Sequence, residues 1–217
     1  MAGSVLWLTR GKVGILQART WRKGGEMDKN RIRSQMREAL KKLTPEERHT
    51  RSLAVCRRLE ATSAFRAAQS VMLFFSMKSE VETAALALSA WQSGKSIVVP
   101  RVIWQERLIE PVEVNSLETE ASPHVPGLRQ PKSGSPVSLS MIDIVAVPGL
   151  AFDLHGYRVG RGKGFYDRFL PQKDLRAVTV ALCFDEQVLA DFIPAEPHDV
   201  PVKIIVTDKR TIHCAAD

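Results

Sequence analysis

The chain has 217 residues, 44% hydrophobic and 25% charged, with a formal net charge of +7; these proportions fit an ordinary globular protein with a sizeable core. Cys56, Cys183 and Cys214 are widely separated and show no Cys-x-x-Cys or Cys/His spacing, which argues against a disulfide framework and a structural zinc site and fits a reducing cytoplasm. No apolar run approaches the roughly 18 residues of a membrane span, and the positive charge gathers at the amino terminus instead of along a basic stripe with exposed aromatics, so neither membrane nor nucleic acid is expected as a partner.

Residues 1–26 carry Arg10, Lys12, Arg19, Arg22 and Lys23 against Glu26 alone. A targeting peptide, a membrane-surface segment and an upstream extension of the reading frame all fit; the last is favoured, because Met27 immediately precedes a self-sufficient helix start. Residues 1–26 are therefore expected to be a non-catalytic extension, and residues 27–217 a single domain. Asp28 is a candidate N-cap for a helix to about residue 43. Lys29 and Arg33 share a face of it, with Arg37 a turn further on; a solvated basic face is the ordinary explanation. Thr44-Pro45-Glu46-Glu47 then provides an N-cap, a proline at the first helical position and a capping-box Glu for a second helix to about residue 62, with Leu53, Val55, Cys56 and Leu59 as its core stripe.

Residues 70–76 (SVMLFFS) read as a buried strand, with Glu80 and Glu82 beyond its C-terminal end, where open α/β sheets place ligands. They could hold a cation or an amine, or be solvated loop charges. Thr83 is a candidate cap for a helix to about residue 91, stopped by Gly94. Residues 96–100 form the next strand with Arg101 emerging at its end, and residues 108–114 an edge strand. Residues 115–140 are rich in proline, serine and glycine and read as a long irregular connection, in which isolated His124 is a surface residue. Strands follow at 143–148, 177–184 and 203–207, the last in the chain, with a helical turn at 186–190 and Asp199 on a loop. Strands alternating with helices predict an α/β three-layer sandwich with a mainly parallel sheet flanked by helices on both faces, Rossmann-like without a dinucleotide fingerprint.

Residues 147–170, VPGLAFDLHGYRVGRGKGFYDRFL, stand apart in composition. Gly160, Gly162 and Gly164 alternate with Arg161 and Lys163, Arg158 precedes them, and Phe165-Tyr166-Asp167 leads into a short helix. Alternate glycines permit positive φ and leave backbone N–H groups uncovered, so the chain can fold around an oxyanion; phosphate is the obvious ligand. A Walker loop is excluded, because Gly162-Lys163 is followed by Gly164 and Tyr157 stands where the upstream glycine is required. The dinucleotide fingerprint fails too, since one residue instead of two precedes its third glycine. A flexible surface turn is the alternative.

The order Lys29/Arg33, Glu80, the segment from Arg158 to Asp167, and Asp199 resembles the 5-formyltetrahydrofolate cyclo-ligase family, most specifically in Pro148-Gly149-Leu150-Ala151-Phe152-Asp153 leading to Gly160-Arg161-Gly162-Lys163-Gly164-Phe165-Tyr166-Asp167-Arg168. The resemblance runs from about Met27 to about Asp208. It implies an ATP- and Mg²⁺-dependent enzyme converting 5-formyltetrahydrofolate to 5,10-methenyltetrahydrofolate. By the same resemblance Lys29, Arg33 and the loop from Arg158 through Gly160, Arg161, Gly162, Lys163, Gly164 and Phe165 to Tyr166 bind ATP. Asp167 and Asp199 hold magnesium. Phe75, Glu80 and the loop from Arg161 to Phe165 contact the folate. Arg158, Arg161, Lys163 and Tyr166 are the expected catalytic residues, in a monomer or weak dimer.

Two departures stand out: Phe165 lacks the hydroxyl of a tyrosine frequent in the family, and Lys203 replaces an acid found in many members. Two other readings stay open on the sequence. A sugar-phosphate isomerase or CoA-transferase relative would need no ATP, and an RNA-binding surface on residues 29–42 would show affinity falling steeply with salt and no turnover.

Overall fold

The computed structural model describes residues 28–214, so the expectations for residues 1–26 lie outside the described residues. Asp28 caps α1 (Lys29–Lys41), its side chain accepting from the Asn30 N–H. The full capping box of Thr44 and Glu47 starts α2 (Pro45–Glu60), which α3 (Ser63–Ala67) follows. Then come β1 (Ser70–Met72), α4 (Ala84–Gln92), β2 (Ser96–Ile103) and β3 (Leu108–Val114). Short strands β4 (Thr119–Ala121), β5 (Arg129–Pro131) and β6 (Ser135–Pro136) punctuate the long connection. The second half holds β7 (Ile144–Val147), β8 (Ala151–Asp153), β9 (Arg158–Val159), α5 (Phe165–Phe169), β10 (Val178–Leu182), β11 (Val188–Leu189), β12 (Ile204–Val206) and β13 (Thr211–His213).

Eight strands form one sheet in the order β13-β12-β10-β7-β1-β2-β3-β6. The five from β12 to β2 pair in parallel, while the outer pairings β12–β13, β2–β3 and β3–β6 are antiparallel. The sheet is thus mixed. Neighbouring residues of the central strands point to opposite faces and both faces are buried, which is why these strands read as unbroken apolar runs. Val71, Ile97, Ile144, Val180 and Ile204 pack with residues of α1, α2 and α4 such as Met36, Leu59 and Leu86. Met72, Val98, Val145, Ala181 and Ile205 pack beneath Phe169, Leu170 and Phe152. The second face is covered by the short α5 and by irregular segments around Ile142, Ala177 and Val202, not by a layer of long helices.

Several expectations are corrected. β2 runs to Ile103, so Arg101 does not emerge at a strand end; it lies inside the hairpin and meets Glu110 at 3.0 Å. β3 is flanked on both sides and is no edge strand. Thr83 stands at the N-cap position of α4 but its side chain makes no cap there: its hydroxyl donates to the Phe74 carbonyl at 2.6 Å. Residues 185–187 form a 3-10 turn and residues 188–189 a strand where a helical turn was expected. β12 is not last, because a tight turn at Thr207 folds β13 back along it. In α2 Val55, Cys56 and Leu59 are buried as expected, while Leu53 is half-exposed and Ser52 is buried in its place.

Candidate active site

Site geometry follows from how the chain leaves β7. β1 and β7 are parallel neighbours, and from them the chain winds outward in opposite directions, to β2 on one side and to β10 and β12 on the other. Such a reversal leaves a crevice at the C-terminal ends of the two strands. The segment after β1 carries Glu80, and the segment after β7 carries the glycine loop.

That loop is anchored before it reaches the crevice. Buried Gln187 donates to the carbonyls of Gly149 and Leu150 at 3.0 and 3.1 Å and accepts from the Phe184 N–H at 2.8 Å. Asp153 is 1% exposed, and its carboxylate accepts from the N–H groups of His155, Tyr157 and Ile193. It turns β8 into β9, so this acid of the Pro148-to-Asp153 motif is structural. Gly162 and Gly164 have φ of 94° and 71°, where glycine is the default residue, and Gly164 starts α5.

Four distant stretches of sequence meet here through charge. Lys29 donates to Asp199 at 2.8 Å and to Glu196 at 3.2 Å. Burial opposes the charge of Lys29, yet these two carboxylates hold its pKa above the ordinary lysine value. Burial also opposes the charge of Asp199, which the hydrogen bonds from Lys29 and the Glu196 N–H outweigh, so it sits below the usual carboxylate range. Arg33 donates to the Gly160 carbonyl at 3.0 Å and lies against Gly162. α1 therefore does not present a merely solvated basic face, as packing against β8 and β9 carries Lys29 and Arg33 to the loop. Arg161 spans Glu80 at 2.9 Å and Ser79 at 3.0 Å, while the second oxygen of Glu80 accepts from the Met77 N–H.

Arg158 is 6% exposed and donates to Asp167 and, at 2.8 Å, to the Val200 carbonyl. Burial lowers its pKa against the attraction of Asp167 and Asp199, and it stands behind the loop. The Tyr166 hydroxyl is buried without a hydrogen-bond partner, and burial pushes its pKa up. Glu82 turns away from this cluster to Arg48 and His49.

Two cavities border the region and share no lining residue. One, about 230 Å³, is mainly apolar and lined by Phe75 with Leu73, Val99 and Leu117; the structure thus brings Phe75 into a different recess from Lys163 and Phe165. The other, about 510 Å³, is lined by Gly162, Lys163 and Phe165 together with Trp104, Gln105, Arg107 and His124. Trp104 meets Phe165 edge-on with centroids 5.0 Å apart and His124 at 4.8 Å. Sequence reasoning did not find Trp104 or Arg107, which lie in the β2–β3 turn, and it left His124 as an isolated surface residue; no motif marks them, and folding alone brings them to the loop. Lys203 is exposed at the start of β12.

An α/β sheet with a basic glycine loop at its switch point defines a class of enzymes that handle phosphoryl groups. Residues 26–208 match the 5-formyltetrahydrofolate cyclo-ligase family. A mouse (Mus musculus) 5-formyltetrahydrofolate cyclo-ligase is 31% identical over 185 residues, covering 80% of this chain and 90% of the relative. The protein of that name from Escherichia coli strain K12 is 26% identical, covering 81% and 97%. Among solved structures, the 5,10-methenyltetrahydrofolate synthetase of Aquifex aeolicus superposes with a TM-score of 0.74 at 30% identity, covering 87% of this chain and 94% of that one. The chain belongs to the 5-formyltetrahydrofolate cyclo-ligase family, and it is an ATP-dependent ligase of folate one-carbon metabolism. Among the described residues no helix is long and apolar enough to cross a membrane.

Proposed function

We propose that the chain converts 5-formyltetrahydrofolate to 5,10-methenyltetrahydrofolate with ATP, releasing ADP and phosphate, and that it does so at the cluster joining Lys29, Glu80, residues 158–167 and Asp199. The observation that carries this is the meeting of Arg161 with Glu80 beyond the ends of β1 and β7, and of Asp199 with Lys29 on the helix whose Arg33 holds Gly160 of the loop. In the reaction the formyl oxygen attacks the γ-phosphorus and the bond to the β–γ bridging oxygen breaks, freeing ADP. N10 then attacks the activated formyl carbon and loses its proton, and the carbon–oxygen bond breaks with release of phosphate.

Phosphoryl transfer asks the protein for position and charge, with little covalent help. Arg161, Lys163, Lys29, Arg33 and the N–H groups of Gly160, Gly162 and Gly164 hold the triphosphate, with Phe165 and Tyr166 closing the loop. Arg158, behind them, acts by orienting Asp167. Arg161 and Lys29 are kept paired by Glu80 and Asp199 until phosphate oxygens replace those carboxylates. Glu80, once released, accepts from the pterin amine and ring N–H, a charge-assisted pairing that fixes the ring, and Phe75 packs on the folate.

Asp167 and Asp199 suit Mg²⁺, which takes oxygen ligands, and both carboxylates act on the same Arg158 guanidinium. Among the described residues no group of three acidic, histidine or cysteine side chains is arranged to hold a metal ion; phosphate and water oxygens would complete the set. When bound, the ion neutralises phosphate charge. We further read the sheet as Rossmann-like, residues 27–217 as one domain, residues 1–26 as an extension outside it, and the protein as a cytoplasmic monomer or weak dimer.

ADP release tests this. It is expected only when 5-formyltetrahydrofolate is present, in equal amount to the methenyl product. ATP hydrolysis indifferent to the folate would contradict the assignment.

A further inference from the structure

Residues 76–83 loop out beyond β1 and carry Glu80, and two hydroxyls tie the neck of this loop. Ser76 donates to the Val81 carbonyl at 2.7 Å and accepts from the Thr83 N–H at 3.0 Å. Thr83, 5% exposed, donates to the Phe74 carbonyl at 2.6 Å. A hydroxyl has one proton to give, so both are spent on carbonyls of the chain and neither is left for a ligand. Inside the loop the Glu80 N–H donates to the Met77 carbonyl and the Met77 N–H to Oε2 of Glu80, each at 2.9 Å. Oε1 then faces Arg161. We propose that Ser76 and Thr83 are positioning residues for Glu80, fixing its carboxylate in the orientation that receives the pterin amine and ring N–H; the inference rests on the folate reading above.

The start of α4 points the same way. A threonine at the N-cap ordinarily accepts from an N–H of the first helical turn, yet Thr83 holds that position and makes no such bond. The fold gives up a helix cap and sends the hydroxyl across the neck of the loop instead, which serves the loop and not the helix. The far flank is fixed as well: Val81 is 1% exposed, and the Glu82 N–H donates to buried Ser52 of α2 at 2.9 Å. Residues 77–80 are thus the stretch whose placement the neck decides, with Ser76 at its root. A binding group has to be held within about 0.5 Å of its productive place by the bonds behind it, and a loop untied at the neck does not hold Glu80 so closely.

A double-mutant cycle in the full chain tests this, with kcat/KM for 5-formyltetrahydrofolate read from methenyl absorbance and ATP affinity from calorimetry. S76A and T83V should each lower kcat/KM for the folate about tenfold without weakening ATP, and T83S, which keeps the hydroxyl, should stay within about twofold of the native chain. In an E80Q background S76A should bring no further loss, because a residue that works through Glu80 has nothing left to place. A purely structural role would weaken ATP as well and add its loss to that of E80Q; either result would overturn the proposal. So would a T83S loss as large as that of T83V, which would assign the effect to the methyl group. S76A deletes one atom at a half-buried position, so the test does not depend on the core accepting valine at 83. Native kcat/KM in both S76A and T83V refutes the positioning role alone, whereas a native chain that turns over no folate refutes the folate reading with it.

Discussion

Gly156 has a φ of 90°, and a Cβ there would stand 2.2 Å from the Val202 carbonyl oxygen. The β8–β9 turn therefore needs glycine twice over, for its dihedral and for the close approach of the segment that runs from Asp199 into β12. Gly156→Ala should lower the unfolding free energy by about 3 kcal/mol or more in a denaturant titration. At Gly162 φ is 94° but the nearest atom is 3.8 Å away, on Arg33; Gly162→Ala should lose only about 1–2 kcal/mol. Equal losses would show that dihedral strain outweighs the clash. Asp167 pairs with a nearly buried arginine, and the proposed function gives it to the metal. Asp167→Asn should reduce turnover by about 10²-fold or more while the circular dichroism spectrum stays native, and activity close to normal would remove Asp167 from the site.

Helix starts were legible because capping is a local code: Asp28 and Thr44 cap as their sequences predict. Thr44→Ala should cost about 1 kcal/mol of stability, read from a denaturation midpoint. The central strands were legible too, since burial on both faces writes an unbroken apolar run. Partners were not. Thr83 carries a capping residue's side chain, yet the carbonyl of Phe74 claims it, and β13 is too short and polar to declare itself. Glu80 and Glu82 lie two residues apart on one loop, and only the fold sends the first to Arg161 and the second to Arg48 and His49. The same limit hid the wall of the larger cavity: the β2–β3 turn has arginine where a hairpin signature wants glycine. The glycine loop, by contrast, was read from composition, because an anion cradle needs particular residue types in one continuous stretch.

Across the whole molecule, Arg51 ties α2 to the end of β12 by donating to Asp208 at 2.8 Å, and it also meets Glu186. Burial opposes ionisation of Asp208, but the hydrogen bonds from Arg51 and the Asp185 N–H prevail and depress its pKa below the ordinary 3.8. A depressed carboxylate stabilises the fold above its unfolded-state pKa, and that contribution is lost as pH falls through the folded one. Stability should hold from pH 7 to about 5 and drop below about 4. Asp208→Asn should be less stable at pH 7 by about 1–3 kcal/mol and show a shallower acid loss; an unchanged acid limb would exclude this clamp. On the proposed reading, function depends on bringing residues 29, 80, 158–167 and 199 to one crevice, and the near-ultraviolet absorbance of the methenyl product tests the activity directly. Purified protein mixed with 5-formyltetrahydrofolate and Mg-ATP should generate that absorbance, and leaving out ATP should abolish it; no absorbance change with any nucleotide would contradict the assignment.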